Sequence, residues 1–131
     1  MKYKKLNTDW NADRNVPIPK IKVLNNDVLI EFRLNPNMKH ADKGLLTFFN
    51  CYAYRLDTTN DEGYFMGQFR FKQEQLPWGE FYELSNTKWE DSPEDKVMGN
   101  PQNKNLKQFI FFLKDDTFEC LAERFEFKYL K

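Results

Sequence analysis

The chain has 131 residues, enough for one domain that buries roughly two-thirds of the surface of its unfolded form without help from a metal or a disulfide. Its 20 basic and 20 acidic side chains cancel, which removes any global attraction to a phosphate backbone or an anionic membrane. Nucleic acid is therefore disfavoured as a partner and no membrane association is expected. Mean hydropathy is low at −0.80, yet 17% of the residues are aromatic, and 13 phenylalanines exclude a disordered chain because they must be buried in something.

The opening stretch MKYKKLNTDWNADRN, residues 1–15, carries charge at Lys2, Lys4 and Lys5 but no apolar region of signal-peptide length. It reads as a solvated, loosely held terminus. The longest apolar run, FIFFL at 109–113, falls far short of the ~20 residues a membrane helix requires. Cys51 and Cys120 both lie in strand-like segments, so the expectation is a cytoplasmic protein with two reduced thiols serving as small core residues.

Alternation of period two dominates the chain. In IKVLNNDVLIEFRL, Ile21 and Val23 share a face, Asn25, Asn26 and Asp27 make a turn, and Val28, Ile30, Phe32 and Leu34 share a face of the returning strand. The polar stretch 35–44 suits an exposed loop or one helical turn between Pro36 and Gly44. LLTFFNCYAYRL, 45–56, is apolar on both faces, with Leu46, Phe48, Tyr52 and Tyr54 on one and Leu45, Phe49, Cys51 and Ala53 on the other, and predicts one central strand. Beyond the polar loop DTTNDEG, the segment YFMGQFRFK alternates as a further strand. Pro77 and Gly79 punctuate the entry to another, GEFYEL, whose rings point to both sides.

Residues 85–106 form the longest polar segment, with Ser92 to Gly99 predicted as a short capped helix. KQFIFFLKDDTFECLAERFEF then predicts a hairpin. With a turn at Asp115 and Asp116, Phe109 would face Ala122, Phe111 would face Cys120 and Leu113 would face Phe118, placing all six on one side. Arg124 to Lys131 either extends that strand or forms a separate one. The whole, residues 1–131, reads as a single mainly β domain. The expected architecture is one antiparallel meander sheet, strongly curved or closing into a barrel or two-layer sandwich, with one or two short helical turns.

Catalytic constellations are sparse. The single histidine, His40, sits in a polar loop away from both cysteines, and one histidine with two cysteines at no ligand spacing does not suggest zinc. The DTTNDEG loop lacks the ligand order of a calcium-binding hand, and the five glycines form no phosphate cradle. Glu80 and Glu83 have opposite parity on their strand and cannot flank one bond; a pair between strands, such as Glu80 with Glu119, is conceivable, although carboxylates on the wet face of a sheet are the commoner arrangement. No metal or cofactor is expected.

What remains is a surplus of recognition side chains: Tyr52, Tyr54, Tyr64, Trp78 and Tyr82 beside Arg55, Gln68, Arg70 and Glu80, with Asp61 and Glu62 in the adjoining loop. The expectation is a non-catalytic cytoplasmic domain that binds another protein, in the manner of an inhibitor or immunity protein. Its acidic loops (Asp57, Asp61, Glu62; Glu90, Asp91, Glu94, Asp95) would steer it towards a basic partner such as a nuclease. The alternative is a small-molecule-binding barrel or barrel enzyme with Tyr52, Arg55, Gln68, Arg70 and Glu80 around a polar cavity.

Overall fold

The phase of the apolar alternation decides where each strand sits, and in this chain that phase is interrupted at two points. The computed structural model describes residues 2–37, 41–57, 79–85, 95–98 and 106–130. In chain order these form β1 (Lys2–Lys5), β2 (Lys20–Leu24), β3 (Asp27–Arg33), β4 (Lys43–Phe49), β5 (Ala53–Asp57), β6 (Phe81–Ser85), β7 (Lys96–Val97), β8 (Lys107–Phe112), β9 (Thr117–Ala122) and β10 (Arg124–Leu130). The described residues contain no helix, and so none long and apolar enough to cross a membrane.

The strands build two antiparallel sheets rather than the single meander the sequence suggests. One has six strands in the order β1-β6-β8-β9-β5-β7, the other four in the order β10-β4-β3-β2. The sheets are not closed into a barrel; they pack as two layers over a shared core.

The first interruption is at Asn50. The stretch 45–56 predicts one central strand, but Asn50 takes a left-handed conformation (φ 50°), its N–H donates to Asp27 Oδ1 (3.0 Å) and its carboxamide to Glu123 Oε2. The chain bends there, so β4 belongs to one sheet and β5 to the other. At the bend Cys51 turns into the core; beyond it Tyr54 faces the core as Phe48 does, while Ala53 lies on the far face of the other sheet beside Leu121. The second interruption is Glu123, whose N–H donates to the carbonyl of Phe49 (2.9 Å). Beyond it β10 is a separate strand of the four-stranded sheet, not an extension of β9.

The β2–β3 hairpin forms as expected: Leu24 pairs with Asp27 across Asn25 and Asn26, with Asn25 left-handed at φ 56°. The β8–β9 hairpin keeps its expected face but not its expected pairing. Phe109 opposes Cys120 and Phe111 opposes Phe118, two residues away from the predicted register. The reason is the turn. Leu113 N–H donates to the Asp116 carbonyl (2.8 Å), so Lys114 and Asp115 are the corner residues instead of Asp115 and Asp116. A shift of two preserves parity, and Phe109, Phe111, Leu113, Phe118, Cys120 and Ala122 are all buried on one side.

Lys96–Val97 of the predicted Ser92–Gly99 helix are extended instead, paired with Ala53 and Tyr54 at the sheet edge. The expected strand over 64–72, His40 at the tip of the 35–44 loop, and most of the 85–106 segment lie outside the described residues.

Rings hold the layers together. Phe48 of the four-stranded sheet contacts Phe81, Phe109 and Phe118 of the other, with centroids 5.4–5.9 Å apart, and Phe32 meets Phe111 at 5.0 Å. Such pairs add about 0.5–1.5 kcal/mol each beyond the area they bury. The N-terminal segment is part of this core rather than a loose end. Trp10 stacks on Phe127 at 4.3 Å and 8° and also reaches Phe32 and Phe111, so it bridges both sheets. Lys2, Lys4 and Lys5 stay exposed on β1, as the sequence suggests.

Gly44 is buried where β4 passes under Phe127, and a Cβ there would lie 2.6 Å from Phe127 Cε1. Gly44→Ala is expected to cost about 1–3 kcal/mol by overpacking. In urea unfolding, the Gly44→Ala/Phe127→Leu double variant should lose clearly less stability than the sum of its single variants. Strict additivity would show that this contact does not limit the site.

Candidate functional site

Because the inner faces are committed to the core, any recognition surface must come from the outer faces, and the two differ sharply. On the six-stranded sheet the outward residues form registered rows: Tyr82 opposes Ile110, Ile110 opposes Glu119, and Glu119 opposes Arg55. That face is buried. Ile110, Phe112 and Thr117 are fully enclosed, and Glu119 retains 1% exposure. Phe81 goes to the core while Tyr82 goes to this second buried face, so the two-sided aromatic character of GEFYEL is real burial on both sides.

Arg55 is fixed there by Asp95. Its Nε lies 2.6 Å from Oδ1 and its Nη2 donates to Oδ2 at 2.9 Å, with the Asp95 side chain only 2% exposed. This is a close ion pair with one charge-assisted hydrogen bond, removed from water, and its carboxylate is unavailable for long-range steering. The expectation that Asp95 belongs to an acidic attracting loop is therefore corrected.

A second polar cluster forms where the N-terminal segment meets the start of β6. Gly79 at φ 88° turns the chain into the strand. Asn7, itself buried, accepts from the Phe81 N–H (3.1 Å) and donates to the Trp10 carbonyl (3.0 Å) and to Glu80 Oε2 (2.5 Å), while Lys5 Nζ lies 3.3 Å from the same oxygen. This arrangement anchors Trp10 under the sheets. Glu80 is thus engaged in structure. The Phe112 N–H donates to the Glu80 carbonyl, which places Glu80 two strands from Glu119, or roughly 10 Å at ordinary strand spacing. The two do not make an acid–base pair. Glu119 is also not on a wet face, contrary to the sequence expectation for such carboxylates.

The thiols are core groups. Cys51 and Cys120 are free and buried, and the Cys51 thiol approaches the Ala53 carbonyl at 3.4 Å. Burial first, and the neighbouring Cys51 thiol second, push the Cys120 thiol well up, so it stays protonated and is a poor nucleophile at neutral pH. Among the described residues no group of three or more His, Cys, Asp or Glu side chains is placed to hold a metal ion.

The four-stranded sheet presents the other kind of face. Outward along β3 and β4 lie Leu29, Leu45, Thr47 and Phe49, half-buried by their neighbours. Around them, among the described strand residues, Lys20, Lys22, Arg33, Lys43, Arg124 and Lys128 stand against Asp27, Glu31 and Glu126, with Asp42 beside Lys43 at one end. Arg124 opposes Phe49 and places its guanidinium carbon 3.7 Å from the ring centroid, a cation–π contact at the surface. An apolar stripe with a basic margin results. Lys20 and Lys22 also guard the open edge of β2 against pairing with another strand.

Of the recognition residues expected from sequence, those that are described do not share one face. Tyr54 faces the core, 5.9 Å from Phe118, whereas Arg55 and Tyr82 face the opposite side of that sheet, three strands apart. Tyr52 is half-buried and bonds through its backbone to Leu121 and Met98, and Glu80 lies in the Asn7 cluster. Asp61, Glu62, Tyr64, Gln68, Arg70 and Trp78 lie outside the described residues. The basic face was missed because its cations come from four separate strands. Only the pairing of Lys20 with Glu31, Lys43 with Leu130 and Arg124 with Phe49 brings them together. Comparison with protein-family models, curated proteins and solved structures found no match to this chain.

Two outcomes follow from these contacts. Arg55→Met is expected to cost about 3–5 kcal/mol in urea unfolding, because it removes the guanidinium from a buried carboxylate, and an Arg55→Met/Asp95→Leu double variant should recover part of that loss. No recovery would mean that the pair is not the source of the cost.

The second outcome concerns Asp13. The Val16 and Asn15 N–H groups donate to its carboxylate, and these bonds, aided by Arg33, hold its carboxyl below the ordinary value. A depressed folded value adds stability that is complete above the unfolded value of about 3.9 and is lost as pH falls through the folded one. Asp13→Asn cannot titrate, so the advantage of the wild type over it should shrink below pH 4 in denaturant titrations. An equal difference at pH 7 and pH 2 would contradict this.

Proposed function

We propose that this chain is a non-catalytic protein-binding domain that receives an acidic partner on the outer face of its four-stranded sheet. The observation that carries the reading is the asymmetry of the two outer faces. One is sealed; the other is open, apolar along its middle and basic at its margin. Apolar area provides affinity, and a margin of one charge sign provides orientation and rate of encounter.

The sign of the partner differs from the sequence expectation. Acidic loops were expected to meet a basic partner, but Asp95 is consumed by Arg55, and of those loop residues only Asp57 is both described and exposed. The open cations favour an acidic surface instead. An inhibitor or immunity-type role is compatible with this when the target carries such a surface.

A photo-crosslinking residue in place of Thr47, at the centre of the face, tests the proposal in cells that express the full chain. A discrete adduct with an acidic protein is expected, and the additional changes Lys22→Glu and Lys128→Glu should reduce its yield at least fivefold. The proposal fails if no adduct forms, if the adduct is a second copy of the chain or a nucleic acid, or if charge reversal leaves the yield unchanged.

A further inference from the structure

At one end of the open face a cavity of about 380 Å³ is lined by Ile18, Lys20, Glu31, Arg33, Asp42 and Lys43. Its volume is at the lower end of the range that takes small molecules. One wall is a strap, residues 12–19, drawn along the end of β3. The Asp13 N–H donates to the Arg33 carbonyl, the Arg33 N–H to the Pro17 carbonyl (both 2.8 Å), and Ala12 bridges Leu34.

Within the strap Ile18 sits between Pro17 and Pro19 at φ 44°, a left-handed conformation that a β-branched side chain resists. It leaves 48% of Ile18 exposed, an apolar surface at the rim of a charged cavity. The two prolines limit the freedom of the strap, so the wall is preformed.

The charges on the opposite wall are arranged at a cost. Arg33 and Lys43 stand directly opposite each other on β3 and β4, a pairing of like charges that destabilises a sheet. Relief from within is partial. Among the described residues the carboxylate that reaches Lys43 is Glu31, at 4.0 Å, and Glu31 is also the register partner of Lys20. Asp42 adjoins Lys43 and the Asp13 carboxylate of the strap acts on Arg33, but among the described residues no carboxylate lies within 4.0 Å of the Arg33 guanidinium. An anionic group seated between Arg33 and Lys43 would remove their repulsion and gain two charge-assisted contacts.

The geometry points to a binding site for a small organic anion, whose carboxylate or phosphate head lies between Arg33 and Lys43 and whose apolar body rests on Ile18. This site shares Lys20, Arg33 and Lys43 with the basic margin of the docking face but does not depend on the docking reading. Its ligand is a small molecule, and its contacts are the strap and the β3–β4 end rather than the apolar stripe around Thr47.

Titration of the full, isotopically labelled chain with phenyl phosphate, benzoate and inorganic phosphate at fixed ionic strength tests it by amide chemical shifts. Saturable shifts centred on Ile18, Arg33 and Lys43 are expected with phenyl phosphate or benzoate, and the tighter of the two identifies the head group. Inorganic phosphate, which gains nothing from Ile18, should bind at least threefold more weakly than phenyl phosphate. Lys43→Gln should weaken the better ligand at least fivefold, and Lys22→Gln, on the same face but outside the cavity, should leave it unchanged. The inference is overturned if neither organic anion saturates, or if Lys22→Gln weakens binding as much as Lys43→Gln. Because no partner protein is present, a failed crosslink at Thr47 and a failed titration are independent results.

Discussion

The contact on which the rest of the molecule depends is the layer of phenylalanine rings between the two sheets. Phe48 and Phe125 meet Phe81 and Phe109 across the interlayer gap, Phe32 meets Phe111, and Trp10 closes one end by stacking on Phe127. Once these rings face inward, strand geometry leaves no choice for their neighbours: every residue one position away faces outward. The outer faces are therefore consequences of the core. Asn7 matters for the same reason, since it satisfies the Phe81 N–H and the Trp10 carbonyl where the N-terminal segment enters this layer.

The two outer faces then divide the work. Burying the far side of β8 and β9 requires Glu119, Gln108 and Arg55 to leave water, and a buried guanidinium needs a carboxylate in close geometry. Asp95 meets that need, which explains why a residue in an otherwise polar, acidic stretch is drawn against the sheet and why Lys96–Val97 extend along β5 rather than coil into a helix. At Lys96 and Val97 a desolvated ion pair next door and a pair of strand contacts outweigh the local preference for helix. The four-stranded sheet has no such demand. Its outward side chains remain half-buried along the middle and charged at the edges.

Much of this was legible in the residues. The alternation of Val28, Ile30, Phe32 and Leu34, the turn at Asn25 and Asn26, and the shared face of the β8–β9 residues follow from period-two patterning alone. The hairpin register was off by two because parity constrains faces but not pairing; the turn decides pairing, and Lys114–Asp115 serves as well as Asp115–Asp116. The change of sheet at Asn50 was hidden for a different reason. A stretch apolar on both faces fits one central strand as well as two strands joined by a bend, and only the bonds from Asn50 to Asp27 and Glu123, distant in sequence, select the bend. The basic face was illegible for the same reason: register across four strands, not proximity along the chain, assembles it.

Overall neutrality and a locally basic face are compatible because charge acts over a limited range. At physiological salt the screening length is about 8 Å, comparable with the spacing of neighbouring strands and of alternate residues along them. A molecule approaching the four-stranded sheet senses Lys20, Lys22, Arg124 and Lys128 together with the fewer carboxylates interleaved among them, Asp27, Glu31 and Glu126, and little of the carboxylates farther away that bring the sum to zero. The cavity beside Ile18 narrows this argument to a single pair of strands. A strained, apolar residue and two opposed cations each break a local rule, and they break it on the walls of one cavity. Sequences are consistent across levels nearly everywhere except where a site requires otherwise, so coincident exceptions point to binding more strongly than either exception alone.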